Sequence, residues 1–280
     1  MRNKTMNTEE IKILFIGDIV GRPGRNAVKE LLPELVEKHS IDFVIANGEN
    51  LSGGSGMTFD KYKEMIDAGI DLFTTGNHIW KNKDIIPHLD DPDIMVLRPV
   101  NYPKGVPGRG MKVLEKKGPK GAPFGGKKLL VVNLQGRVFM ADDVDEPFSL
   151  ISKYSDDNKD LPILVDFHAE ATSEKVALVN FLDGKVSAVV GTHTHVQTSD
   201  EKILPRGTGY ITDVGMVGPE DSVLGVEKEI IIEKFLTQLP VSHKVATGAV
   251  EFGAVILTID QKDKKTKNIL RIKEMLKLNR

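Results

Sequence analysis

Five short apolar runs in this chain each stop at a small cluster of polar residues, and that repetition constrains the fold more than any bulk property. Ile11–Ile16 runs into Gly17-Asp18, and Asp42–Ala46 leads to Gly48-Glu49-Asn50. The run opening at Asp71–Phe73 leads to Gly76-Asn77-His78, Leu161–Phe167 to His168, and Val186–Val190 to Gly191-Thr192-His193-Thr194-His195. Runs this short and this continuous read as strands covered on both faces.

Helical patterns separate them. Val28, Leu31, Leu32, Leu35 and Val36 form an i, i+3, i+4, i+7, i+8 stripe between Asn26 and Lys38, with Pro33 inside it predicting a kink or a late start. A second helix is expected from Phe59 to Ala68, capped by Thr58 and stopped by Gly69, and a third over Ser173–Leu182 with Ser173 as its cap. Further strands are expected at Ile94–Leu97 and near 111–115, 129–134, 209–212 and 249–259. The Gly-, Pro- and Lys-rich stretch 104–128 reads as a long solvated hairpin loop. The basic tail from Lys262 reads as a surface turn followed by a terminal helix or strand, with no ligand required. Alternating strands and helices argue an α/β fold with parallel pairings. The 280 residues show no linker or repeat, so one domain over 1–280 is expected.

In open α/β sheets ligands bind beyond the carboxyl ends of the strands, so the five clusters are expected to meet in one crevice. They offer one Asp, one Glu, two Asn and four of the seven His, and the chain has no Cys. Disulfides, thiolate zinc sites and a cysteine nucleophile are therefore excluded, while imidazole with carboxylate suits manganese, iron or zinc. His193 and His195, two apart on an extended segment, would point to one side. Taken singly, Gly17-Asp18 and Gly48-Glu49-Asn50 are turn chemistry and His168 is a core histidine. The coincidence of five at strand ends is what argues a metal site. With 38 Lys+Arg against 40 Asp+Glu, a formal charge of -2, no global field draws the chain to nucleic acid. The polar N-terminus has no signal-peptide core and no apolar run nears the ~20 residues of a membrane span, so a soluble, cytoplasmic protein is expected.

The order Gly-Asp, Gly-Glu-Asn, Gly-Asn-His, His, Gly-x-His-x-His resembles the five motifs of the calcineurin-like metallophosphoesterases. It is most similar to their YmdB-like branch of bacterial cyclic-nucleotide phosphodiesterases, through GDIVGRPGR (17–25), NGEN (47–50), GNHIW (76–80), RPVNYP (98–103), NLQGRVFM (133–140), DFHAE (166–170), GTHTHVQT (191–198) and TDVGMVGP (212–219). The superfamily's usual Asp-x-His is here Asp18-Ile19-Val20, and its usual bridging Asp is Glu49; both departures fit the branch.

The resemblance implies a four-layer α-β-β-α sandwich with two mixed sheets and two transition metals (iron, manganese or zinc). Asp18, Asn50 and His195 would hold one metal, Asn77, His168 and His193 the other, and Glu49 would bridge. Such a pair lowers the pKa of a shared water that attacks phosphorus. His78 would stay free to protonate the leaving alkoxide, since an imidazole titrates close to neutral pH. The implied activity is hydrolysis of small cyclic nucleotides such as 2′,3′-cyclic AMP. The alternatives are a phosphomonoesterase on the same site and a nucleotide-sensing regulator, and a homo-oligomer stays open.

Arg98 and Arg137 are candidate phosphate contacts. Phe139 is expected to pack in the core, with base stacking the alternative. Gly53–Gly56 reads as a flexible turn, Thr192 and Thr194 as orienting residues, and Asp213 as either a pocket-closing group or a surface turn. Asp166 is expected to face away from His168 and is given no role.

Overall fold

The computed structural model describes residues 10–116 and 126–277; the tip of the expected 104–128 loop and the first nine residues lie outside the described residues. The chain begins β1 (Glu10–Ile16), β2 (Asp18–Ile19), α1 (Gly21–His39), β3 (Phe43–Asn47), α2 (Phe59–Asp67) and β4 (Leu72–Thr74). It continues through β5 (Met111–Lys116), β6 (Lys127–Gln135), α3 (Pro147–Asp157), β7 (Ile163–His168), α4 (Thr172–Leu182) and β8 (Ala188–Thr192). It ends in β9 (Lys202–Ile203), β10 (Gly209–Ile211), β11 (Met216–Pro219), α5 (Lys228–Thr237), β12 (Val250–Asp260) and β13 (Thr266–Leu276).

These strands form two mixed sheets. One has the order β2-β11-β12-β1-β3-β4 with β13 also on β12, and the other β5-β6-β7-β8-β10-β9. In the first, β1, β3 and β4 run parallel; in the second, β6, β7, β8 and β10 do.

Strand alternation sorts the apolar side chains into three cores. Leu14, Ile16, Val44 and Ala46 pack with Val28, Leu32 and Met65 of α1 and α2. The intervening Ile13, Phe15, Phe43 and Ile45 meet Leu129, Val131, Leu164 and Val190 of the opposite sheet. Leu130, Val132, Val165 and Phe167 pack outward on Leu178 and Val179 of α4. The layers therefore run α-β-β-α, as expected. A one-residue slip of β1 would exchange one core set for the other, which fixes its register. Each such buried side chain contributes ~1.5–3 kcal/mol.

Local departures have physical causes. Helix α1 starts at Gly21, well before the apolar stripe, and runs through Pro33. Pro33 and Lys29 both face solvent, so water can take the carbonyl that the missing N–H leaves free. Thr58 caps α2 by accepting the Lys61 N–H, whereas α4 is entered from Ala171 with no side-chain cap, and Ser173 lies within its first turn. Residues 94–97 form two isolated parallel bridges, Phe73 with Val96 and Leu97 with Arg109, and no full strand. The 104–128 stretch does join an antiparallel hairpin, with Met111 opposite Val132. The basic tail is strand β13, paired along β12. Helices α3 and α5 lie outside the helical patterns of the sequence. The first is signalled only by Glu146, whose carboxylate accepts the Phe148 and Ser149 N–H groups, and the second buries none of its residues, so no stripe marks it.

Candidate metal centre

All five polar clusters lie at the carboxyl ends of strands that run parallel within their sheets, three from the first sheet and two from the second. Two glycines make the approach possible. A Cβ on Gly76 would sit about 2.0 Å from the His168 ring, and one on Gly191 about 1.8 Å from the Thr212 carbonyl oxygen, so no other residue fits either position. Asn133 of β6 pins the first of these turns across the sheets: its Oδ1 accepts the Thr75 N–H at 2.9 Å and its Nδ2 donates to the Thr75 carbonyl at 2.8 Å.

The seven residues gather as two groups. In one, Asn50 Nδ2 lies 3.3 Å from Asp18 Oδ1 and 3.2 Å from His195 Nε2, and the latter two atoms are 3.6 Å apart. In the other, His168 Nε2 lies 3.1 Å from Asn77 Oδ1 and 3.1 Å from His193 Nδ1. Glu49 stands between them. Its Oε1 is 3.4 Å from His168 Nε2 and 3.2 Å from His78 Nδ1, and its Oε2 accepts the His78 N–H at 3.0 Å. Glu49, His168 and His193 also present ligand atoms that all lie within 4.8 Å of one another. Ligands ~2.0–2.2 Å from one transition-metal ion are separated from each other by roughly 3–3.5 Å, close to the 3.1 Å from His168 Nε2 to Asn77 Oδ1 and to His193 Nδ1 and just under the 3.6 Å between Asp18 Oδ1 and His195 Nε2.

Each histidine has its outer nitrogen tied to an oxygen, which leaves the inner one facing the group. His195 Nδ1 donates to the Leu224 carbonyl at 3.0 Å. His193 Nε2 lies 3.1 Å from a carboxylate oxygen of Glu170. His168 Nδ1 is 2.9 Å from Thr192 Oγ1, whose hydroxyl donates to Asp166 Oδ1 at 2.8 Å, so the threonine oxygen accepts from the ring. This is the outer-shell pattern that fixes the tautomer of a ligating imidazole. Asp166 therefore faces the site, not away from it. Residues 166 and 168 are two apart on β7, and strand alternation puts them on one face.

His193 and His195 are not extended. Their φ angles are +103° and +63°, and the left-handed turn sends one ring to each group. A buried ion pair supports this turn. Lys175 Nζ of α4 lies 2.8 Å from Asp213 Oδ2 and donates to the Thr192 carbonyl at 2.9 Å, while Asp213 accepts the Thr194 and Gly215 N–H groups. Asp213 is thus buried under the site, not a surface turn, and no motif in the sequence marks Lys175.

The charges of the cluster depend on one another. Burial raises Asp18 and Glu49, yet the neighbouring imidazoles hold both below the usual carboxylate range, His195 and His168 for Asp18 and His168 and His78 for Glu49. Burial lowers His195, but Asp18 overrides it and lifts the ring to about 9. Burial, then the His168 charge, push His193 down to about 4, and burial raises Asp166 to about 7. The carboxylates demand positive charge at their centre, and a metal ion would supply it in exchange for protons. The donor set fits such an ion with one adjustment. Asn50 turns its amide nitrogen toward Asp18 and His195, whereas a cation takes the isosteric oxygen end.

Of the other candidates, Arg98 donates through Nε and Nη1 to the Pro107 and Pro99 carbonyls. Arg137 is exposed, two residues beyond Gln135 at the site-facing end of β6. Phe139 is 86% exposed with φ +61°, so it does not pack in the core. Gly53, Gly54 and Gly56 have positive φ and form a turn closed by the Ser52 N–H on the Gly56 carbonyl. Among the described residues, no helix is long and apolar enough to cross a membrane.

The chain is similar over most of its length to several known proteins. A 2′,3′-cyclic-nucleotide 2′-phosphodiesterase of Bacillus subtilis (strain 168) is 48% identical over 267 residues, 94% of this chain and 96% of that protein. The crystal structure of a hypothetical protein from Thermus thermophilus superposes with a TM-score of 0.86 at 41% identity, covering 95% of this chain and 99% of the other. That of a phosphatase from Mycoplasma pneumoniae gives 0.86 at 33% identity, covering 96% and 94%. The family model described as YmdB-like protein matches residues 14–272, a span that takes in both ligand groups, and the chain belongs to the YmdB-like family.

Proposed function

We propose that this protein is a phosphodiesterase that uses two transition metals, iron, manganese or zinc, to hydrolyse small cyclic nucleotides of the 2′,3′-cyclic AMP type. The observation that carries the reading is the pair of ligand groups with Glu49 between them. Asp18, Asn50 and His195 would hold one metal, Asn77, His168 and His193 the second, and Glu49 both. The naming of the Bacillus subtilis relative supports the substrate class. When bound, such a pair lowers the pKa of a water nucleophile and offsets the negative charge of the phosphate oxygens. Thr192, Glu170 and Leu224 keep the three imidazoles in the tautomers that leave a lone pair inward. His78 protonates the departing alkoxide. The asparagine ligands are neutral, which keeps the site from repelling an anionic substrate. Metal-loaded protein should turn over 2′,3′-cyclic AMP and a generic aryl phosphodiester, and should prefer the diester to its monoester product. Absence of metal-dependent turnover on both diesters would sink the reading, and a preference for the monoester would make the protein a phosphomonoesterase.

The rim adds selectivity. Gly136 donates its N–H to the His168 carbonyl at 2.9 Å, and the Glu174 carboxylate accepts the Arg137 and Val138 N–H groups. This fixes the base of a loop that holds Phe139 in solvent beside the site, with Arg137 next to it for phosphate. Base–aromatic stacking contributes ~1–3 kcal/mol. Phe139→Ala should therefore raise KM for the cyclic nucleotide by roughly 5- to 150-fold and leave that for the small aryl diester within about twofold. Equal changes for the two substrates would remove the stacking role.

A further inference from the structure

A cavity of about 210 Å³ opens at the pole of the second sheet away from the candidate metal centre. Its wall includes Leu161, Val186–Ser187 and Gly207, the residues that lead into β7, β8 and β10. The candidate metal centre lies at the opposite ends of these strands, so one strand length, ~20 Å for six residues, separates the two sites. Five cations from four separate segments border the cavity: Lys159, Lys185, Arg206, Lys264 and Lys265, with the carboxylates of Asp156 and Asp263. The lining carries five positive groups against two negative, in a chain whose formal charge is -2, and behind it the Asp183 carboxylate accepts the Arg206 and Thr208 N–H groups. Asp263 is moreover engaged by Lys267 and by the Lys265 N–H.

The backbone is shaped to seat these side chains. Gly184 and Gly207 have φ +82° and +104°, and a Cβ on either would collide with the stem of a cavity cation, Arg206 at 2.9 Å and Lys265 at 2.7 Å. Lys185 is turned across the Phe181 ring, 4.5 Å from its centroid, and donates to Ser152 Oγ at 2.8 Å. Ser155 and Ser187 of the lining are almost wholly covered. Ligand pockets for drug-sized molecules run ~300–1,000 Å³, so this one suits a smaller guest. At about 210 Å³ it does not match an extended nucleic-acid backbone. The basic turn at Lys262–Lys267, unused by the proposed chemistry, supplies two of its five charges.

We infer that this cavity binds a small phosphorylated anion, one phosphate group with at most a sugar attached. The inference does not rest on the proposed activity. The test uses full-length, zinc-loaded protein labelled with ¹⁵N-glycine and titrated with inorganic phosphate, with sodium chloride at matched ionic strength as the control. The Gly184 and Gly207 amides should shift saturably with phosphate and not with chloride. Gly76 and Gly191 report separately on phosphate at the metal pole. Lys159→Gln/Arg206→Gln should weaken the response at Gly184 and Gly207 by at least about tenfold, and Lys264→Gln/Lys265→Gln, altering a different segment, should do the same. The inference is overturned if the two amides stay still, if chloride moves them equally, or if both variants respond like the unaltered chain.

Discussion

His78→Ala is expected to slow diester hydrolysis by about 10²–10⁴-fold while metal content stays near that of the unaltered protein. The ring sits at the edge of the ligand cluster with 29% of its side chain exposed. Its Nδ1 lies 3.2 Å from Glu49 Oε1, so an Nδ1–H keeps an acceptor when Asn50 turns its oxygen to the metal, whether or not Nε2 carries a proton. Transfer from Nε2 then leaves a neutral tautomer already hydrogen-bonded in place. The alanine variant keeps the backbone N–H on Glu49, so that carboxylate stays oriented. Kinetics with a good and a poor leaving group separate the roles. A proton donor matters most for the poor one, and a nitrophenolate that leaves without a proton should lose far less. Loss of metal from the variant, measured by elemental analysis, would instead make His78 a ligand, which its 3.2 Å approach to Glu49 also permits.

A second sizeable loss is expected outside the ligand set. Lys175→Met should cost about 3–5 kcal/mol of stability, read as a fall in the urea midpoint at unchanged m-value. The lysine head is 1% exposed and so is its partner Asp213, so methionine would fill the stem's space and leave a buried carboxylate unpaired. Lys175→Met/Asp213→Asn should recover part of the loss, because the uncompensated charge is gone. The pair also holds the turn in which His193 and His195 take left-handed φ angles, a conformation that costs each about 1–3 kcal/mol and persists only under constraint. Metal affinity should therefore fall in the single variant under conditions where it remains folded by circular dichroism. A shift below ~1 kcal/mol with unchanged affinity would mean that the backbone alone holds the turn.

The site is more legible in the sequence than its support. Gly-Asp, Gly-Glu-Asn and Gly-Asn-His stand where apolar runs end, and strand chemistry plus the crevice rule bring them together without knowledge of any contact. Thr58 as a helix cap is equally local, a hydroxyl three residues from the N–H that it accepts. Ser173 does not cap α4, because a capping residue type fits several adjacent positions and packing chooses Ala171. Helix α5 is invisible because a helix that buries nothing leaves no periodic stripe. Phe139 lies in solvent and not in the core, because hydrophobicity alone does not say which side of a loop meets water.

Residue order alone carries the donor chemistry, the absence of thiolates, the strands that bear each ligand and the family. Packing in three dimensions sets the rest: how the seven candidate residues divide into two groups, which oxygen tethers each imidazole, that Lys175 and Asp213 meet beneath the site, and that five cations border the cavity at the far pole. The reason is range. Side-chain periodicity and turn propensity act over a few residues and are written locally. These pairings instead join atoms far apart in the chain, such as the His193 N–H and Asp18 Oδ2, 175 positions apart, and exist only once two sheets have packed face to face.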